Sequence, residues 1–294
     1  MQPGQPSVAP VPFSAGTALP QTRLAAGACD CHVHVYDPAI PAAPGAKLHP
    51  PPASADDYRR LQARIGTSKV VLVTPSTYGT DNRAMLAGLR AFGEHARGVA
   101  VIAGDEPDAE LRRLHAAGVR GIRVNLSLGG GPRIDQLPAL GARIASLGWH
   151  LQLLMAPDLL AAQAGTLAAL PVPLVFDHLG RIPPTLPRHP AHAVLLDLLA
   201  QGRTWIKLSG GYLVSPQKSI EDPGLDALAR SYLEAAPERV VWGSDWPHAT
   251  ASAGVQPMPD DARQLDRLAE WAGSDAGLLR ILVTNPASLY GFAS

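Results

Sequence analysis

Cysteine is nearly absent: two residues in 294, Cys29 and Cys31, too few and too close together for a disulfide framework. They read as two small buried apolar side chains on one strand face, which suits a reducing compartment. Charge of one sign is also missing. Lys+Arg and Asp+Glu stand at 25 each and charged residues make up only 17%. That balance argues against nucleic acid and against a charged membrane surface as partners. No apolar run reaches the roughly 18 residues that a membrane span needs. No Gly-x-Gly-x-x-Gly loop follows the first apolar run, and no glycine-rich loop leads into Lys-Ser/Thr, so dinucleotide and phosphate-cradle chemistry have no footing. A Gly-x-Ser-x-Gly elbow is missing too, which removes the serine-esterase route. Residues 1–27 are rich in Pro, Gly, Ala and Ser and lack the charged start and apolar stretch of a secretory leader. They read as an extended or mobile arm lying on the body, with the cytoplasm as the default location.

What is present is apolar material, 46% of the chain, distributed in eight short runs: Ala28–Tyr36, Lys69–Thr74, Val99–Ala103, Val119–Asn125, Trp149–Met155, Val172–Asp177, Thr204–Ser209 and Arg239–Trp242. Amphipathic stretches of helical length separate most of them: Asp56–Ile65, Asn82–Phe92, Ala109–Ala117, Leu137–Leu147, Leu159–Ala169, Ala191–Ala200 and Leu225–Ala235, with Asp260–Ala272 and Gly277–Leu282 after the last run. Near-continuous apolar strands alternating with such helices imply parallel strands covered on their outer face. Eight units point to an α/β fold, a closed (β/α)8 TIM barrel occupying residues 28–294 as one catalytic domain; the competing doubly wound sheet would carry a glycine-rich loop where this chain carries histidines.

Polar residues recur at the ends of these runs. In Asp30-Cys31-His32-Val33-His34, alternation puts His32 and His34 on one face, with Asp30 beside them. Such a pair binds a metal, polarises a carbonyl, or is a hydrogen-bonded core pair. Asp177-His178-Leu179-Gly180-Arg181 closes the sixth run, and Trp242-Gly243-Ser244-Asp245-Trp246-Pro247-His248 follows the eighth. Strand ends one, six and eight surround one barrel mouth, where catalytic groups of this architecture sit. Arg123, at the end of the fourth run, reads either as a bidentate anchor for a substrate carboxylate or as a structural ion pair. Ser76, Tyr78 and Asn82 after the second run, and Lys207, Ser209 and Tyr212 around the seventh, are further mouth candidates; Tyr78 and Tyr212 are glycine-flanked aromatics in loops expected to rim it. His248 either orients Asp245 or caps the next helix, and Trp246 reads as packing beneath the site. His49, His95, His115, His189 and His192 read as surface residues, and Gly129–Gly131 as a flexible loop.

Taken in order, these motifs, with Gly79-Thr80-Asp81-Asn82, Gly118-Val119-Arg120-Gly121-Ile122-Arg123, Pro171-Val172-Pro173 and Thr284-Asn285-Pro286, resemble the amidohydrolase superfamily from about Gly27 to Tyr290. The resemblance is to its lactone-hydrolysing branch, typified by 2-pyrone-4,6-dicarboxylate lactonases and including sugar-lactone isomerases. It implies the barrel, Asp245 as general base, and His32, His34 and His178 in the active site. The implied function is a hydrolase that opens a carboxylate- or sugar-acid-derived lactone with an Asp-activated water. Lactone isomerisation, or a zinc-dependent amidohydrolase or decarboxylase reaction, is the alternative.

Metal-dependent members of the superfamily add a histidine near the end of the fifth strand. Here that end is Leu154 and Met155, while His150 stands at its beginning, the closed end of the barrel. The expectation is therefore that no cofactor is required; one divalent metal such as zinc, if bound, would sit on His32, His34 and Asp245. Apart from Arg123 the cationic anchors of the pyrone lactonases look lost, which predicts a less charged lactone. The partner is a small-molecule lactone, and a homo-oligomer is left open.

Overall fold

The computed structural model describes residues 8–127, 133–185 and 188–293; the triple glycine Gly129–Gly131 lies outside them. Eight parallel strands follow one another in chain order around a single sheet: β1 (Cys29–Val33), β2 (Lys69–Val73), β3 (Ala96–Ala100), β4 (Val119–Asn125), β5 (His150–Leu154), β6 (Leu174–Phe176), β7 (Thr204–Leu208) and β8 (Val240–Trp242). The helices are α1 (Ala55–Ile65), α2 (Arg83–Phe92), α3 (Asp108–Ala116), α4 (Leu137–Ala145), α5 (Pro157–Ala162), α6 (Ala164–Ala168), α7 (Pro190–Ala200), α8 (Gly211–Val214), α9 (Gly224–Ala235), α10 (Ala249–Ser252), α11 (Asp261–Ala272), α12 (Asp275–Leu279) and α13 (Asn285–Tyr290). The expected barrel is present, and among the described residues no helix is long and apolar enough to cross a membrane.

Alternation divides the strands into two faces. Cys29, Cys31, Val71, Val73, Val99, Val175, Trp205 and Val241 form one interior cluster, while Val70, Leu72, Ile122, Val124, Leu151, Leu153, Phe176 and Leu208 pack outward with the helices. α1 shows the outer layer in miniature. Ser54 and Asp57 form a reciprocal capping box, Gly66 ends the helix in the left-handed region, and Tyr58, Leu61 and Ile65 supply its buried stripe.

The last strand meets the first through residues beyond β8. Asp245 N–H donates to His32 O (3.0 Å), His34 N–H donates to Trp246 O (2.8 Å), and Val33 bridges Trp246. Gly243 makes this seam possible, since a Cβ there would lie 2.5 Å from the Cβ of His32. At the opposite end Tyr290 and Phe292 join the interior cluster, and the Arg97 guanidinium stacks over Phe292 at 4.7 Å while donating to Gly291 O (2.9 Å). The base is thus plugged by the C-terminal segment.

Two details depart from the sequence reading. β3 begins at Ala96 rather than Val99, because Arg97 and Gly98 belong to the strand although neither is apolar. The fifth crossover, expected as one helix over Leu159–Ala169, breaks at Gln163 into α5 and α6. Residues 8–27 lie against the barrel: Trp246 Nε1–H donates to Pro12 O (2.9 Å) and Phe13 meets the Trp246 ring edge-on at 5.6 Å.

Candidate active site

Four groups converge at the open mouth. The Oδ1 atom of Asp245 lies 3.6 Å from His32 Nε2, 3.9 Å from His34 Nε2 and 3.7 Å from His178 Nε2. All four residues are buried. Asp245 (φ 70°) and His178 (φ 50°) both occupy the left-handed region, a conformation that costs a non-glycine residue about 1 kcal/mol or more and clusters at functional sites. Left-handed turns at these strand ends are what aim the two side chains across the mouth.

The imidazoles form an ordered chain. His34 Nδ1–H donates to the Val73 carbonyl (2.7 Å), leaving its Nε2 bare, 3.3 Å from His32 Nε2. The far nitrogen of His32, Nδ1, lies 3.2 Å from both the Lys207 ammonium and Asp177 Oδ1. Lys207 donates to Cys31 O and to Gln152 Oε1, both at 2.8 Å. His178 Nδ1 pairs with the Ser209 hydroxyl at 2.9 Å, a partner able to donate or accept. Burial lowers all three rings: it drives His32 well below its ordinary value, His34 down to about 4, aided by the Arg123 charge, and His178 down as well. Burial pushes Asp245 up, but the imidazoles of His178, His32, His34 and His248 more than offset it and hold the carboxyl below its usual range. The base is therefore ionised at neutral pH.

Beneath this layer lies Asp177, which sequence reasoning passed over. Its Oδ2 accepts from Arg123 Nε (3.0 Å) and Gln152 Nε2 (3.1 Å), and its Oδ1 lies 3.6 Å from Lys207 Nζ. Burial raises this carboxyl, yet His32, Lys207 and Arg123 outweigh burial and hold it well below its ordinary value. Strand alternation would send Asp177 and His178 to opposite faces; the left-handed His178 breaks it and turns both inward. The converse happens on β1. A register irregularity between Asp30 and Val33 removes Asp30 from the face of His32 and His34, correcting the expectation that it accompanies them. Its Oδ1 accepts from Ser244 N–H (2.9 Å) and its Oδ2 from the Tyr58 hydroxyl (3.1 Å).

The mouth opens into a cavity of about 320 Å³ lined by His34, Ser76, Arg123, Asn125, His178 and Asp245, and roofed by Ala43–Leu48 of the loop after β1. Ser76 accepts from Asn125 Nδ2 (2.8 Å) and from Arg123 (3.4 Å). Arg181 and Lys47 also line it, so the pocket carries three cations against the single carboxylate of Asp245, more than the sequence suggested. Three expected mouth residues lie elsewhere. The Tyr78 hydroxyl is occupied by the backbone of Asp37 (2.9 and 3.0 Å), clamping the roof loop. Lys207 is enclosed in the barrel, and Tyr212 lies behind Asp245, its hydroxyl donating to Asp245 Oδ2 at 2.6 Å. Trp246 is wholly buried between Phe13 and Tyr58. His150 sits at the closed end, edge-on to Tyr290.

Among the described residues the group whose ligand atoms lie mutually within 4.8 Å is His32, His178 and Asp245, with His34 adjoining rather than completing it. A tetrahedral zinc site spaces its ligand atoms by roughly 3.3–3.5 Å, so the 3.6 and 3.7 Å separations from Asp245 Oδ1 fit a divalent ion. The bipolar Ser209 partner permits the bare-Nε2 tautomer of His178 that a ligand needs.

The amidohydrolase family profile matches residues 29–292, and the chain belongs to that family. It is 34% identical to a 2-pyrone-4,6-dicarboxylate hydrolase of Comamonas testosteroni, covering 94% of each chain. It is 32% identical to a D-galactarolactone isomerase of Agrobacterium fabrum strain C58, again over 94% of each. A crystal structure of an Agrobacterium tumefaciens protein without ligand superposes with a TM-score of 0.84 at 31% identity, covering 93% of this chain and 99% of the other.

Proposed function

We propose that this enzyme hydrolyses a carboxylate- or sugar-acid-derived lactone. The observation that carries the reading is the ionised Asp245 Oδ1 held at similar distances from three imidazoles on the floor of a cation-lined cavity. Water bound against Oδ1 gives its proton to Asp245 as its oxygen attacks the ester carbon. Charge then collects on the carbonyl oxygen, where the His178 Nε2–H is the available donor. When the ring C–O bond breaks, the leaving oxygen recovers the proton from Asp245, and the product is the hydroxy acid. Arg123 and Arg181 grip the carboxylate of the substrate.

His32, His178 and Asp245 would hold a divalent ion, which when bound supplies Lewis-acid polarisation of the carbonyl. No step above depends on it, since Asp245 is already ionised.

Turnover of a lactone panel, pyrone-dicarboxylate, muconolactone-type and aldarolactones included, by metal-stripped and zinc-loaded enzyme tests this reading, with products resolved by chromatography. Ring opening by stripped enzyme is the expected result. A shifted ring with no open acid would make the enzyme an isomerase, with a substrate hydroxyl in place of water. Activity only with zinc, on lactones or on amides, would move the reaction to the metal-dependent class.

A further inference from the structure

The two oxygens of Asp245 have different neighbours, and Oδ1 is the one beside His32, His34 and His178. Oδ2 takes the Tyr212 hydroxyl at 2.6 Å; the same hydroxyl lies 3.0 Å from His248 Nδ1, and His248 Nε2 lies 3.1 Å from Asp261 Oδ2. Asp261 Oδ1 accepts from Gln264 Nε2 at 2.8 Å. Every member is buried. Tyr212 has one proton, and a 2.6 Å contact with a carboxylate requires it there. His248 must therefore donate from Nδ1, and also from Nε2 to the Asp261 carboxylate, which makes it an imidazolium. Asp261 itself sits in the first turn of α11, where the helix dipole favours its charge. Tyr212 is held in turn by a tight left-handed Gly210 (φ 56°), at which a Cβ would press to 2.7 Å from His178 Nδ1.

We propose that Tyr212, His248 and Asp261 form a buried tether that fixes the orientation of the Asp245 carboxylate, holding Oδ1 toward the three histidines; this rests on Asp245 being the base of the reaction above. An aspartate carboxylate is otherwise broad in its terminal torsion, and rotation would carry Oδ1 away from the point where His32, His34 and His178 converge. None of the three tether residues lines the cavity, so they act through Asp245 as positioning residues.

Tyr212→Phe removes the hydroxyl and keeps the ring. It should lower kcat about 10- to 100-fold, the usual effect of losing an orienting partner, with KM nearly unchanged. Asp261→Asn should act in the same direction, and the double variant should lose no more than Tyr212→Phe alone, because both cut one chain. A crystal structure of Tyr212→Phe reads the inference without any substrate: Asp245 should adopt a second orientation. A single unchanged Asp245 orientation, or fully additive kcat losses, would overturn the tether whatever lactone is turned over. Should Tyr212→Phe fail to fold, the Asp245 orientation in crystals of Asp261→Asn decides the question in the same way. Failure of every lactone, with Asp245 reoriented in the variant, would instead overturn the lactonase reading.

Discussion

Lys207 and Asp177 lie side by side in a fully enclosed layer, Nζ 3.6 Å from Oδ1, directly beneath His32. With Arg123 on the other carboxylate oxygen, two cations flank one anion, and the ionised Asp245 above balances them. The active-site floor is therefore a buried charge lattice, and its parts are not independent. Replacing Lys207 by Met would leave Asp177 with a single cation and strip the donor from Cys31 O and Gln152 Oε1. Removing one member of a buried pair typically costs about 3–5 kcal/mol. Urea unfolding of Lys207→Met should show a loss of that order; an unchanged midpoint would mean that the lattice does not stabilise the fold.

Asp30 gives the fold a pH signature of its own. Burial pushes its carboxyl from an ordinary value of 3.8 to about 6, against the hydrogen bonds from Ser244 and the backbone of His32. Below pH 3.8 both folded and unfolded chains carry the proton. As pH climbs to about 6 the unfolded chain ionises first, so stability falls through that window and the deficit is complete above it, about 3 kcal/mol at most. Asn at this position never ionises, still accepts from Ser244, and can donate to the Tyr58 hydroxyl. Relative to the native protein, Asp30→Asn should thus gain stability between pH 4 and pH 8, as read from urea midpoints. An equal difference at both pH values would sink the assignment.

Asp245→Asn should lower kcat by about 10²–10⁴, the contribution of a positioned general base, without altering the circular dichroism spectrum. Near-native turnover would take the base role from Asp245.

The two arginines of the cavity should separate binding from folding. Arg181 makes no side-chain hydrogen bond among the described residues and is half-buried. Its replacement by Met should raise KM for a carboxylate-bearing lactone about tenfold, one charge-assisted contact of about 1.4 kcal/mol, at constant stability. Arg123→Met should raise KM and also lower the urea midpoint, because Asp177 loses a partner. Equal stability losses in both variants would contradict the division.

Eight strands were legible because buried parallel strands are apolar on both faces, and the mouth was legible because His32, His34, His178 and Asp245 stand at strand ends, where polar residues interrupt that pattern. Asp177 was not, because a left-handed backbone at His178 cancels the alternation by which inward residues are inferred. Asp30 was misplaced for the related reason that β1 shifts register. Tyr212 and Tyr78 were expected at the rim on the strength of flanking glycines, yet a phenol in a loop reads the same whether it faces a ligand or a neighbouring backbone. Arg181 and Lys47 reach the cavity through loop geometry, which carries no period.

The N-terminal arm, expected to lie on the body as an extended or mobile segment, is tied to the same catalytic segment. Arg64 donates to Ala15 O and Ala18 O and pairs with Asp260 at 2.7 Å, Ser14 accepts from Arg64 and from Asp261 N–H, and Pro12 O accepts the Trp246 indole N–H. These contacts bracket the base from two sides: Trp246 is the next residue in the chain, and Asp261 ends the tether behind it. Deleting residues 1–18 would expose the Trp246 ring and leave the buried Arg64 guanidinium with Asp260 alone. A stability loss of about 2–4 kcal/mol is expected from the lost hydrogen bonds and the lost aromatic contact. Activity should fall with it even well below the melting temperature, since both anchors of the Asp245 segment loosen. Full activity in a truncated protein of reduced melting temperature would show that the arm supports the fold but not the site.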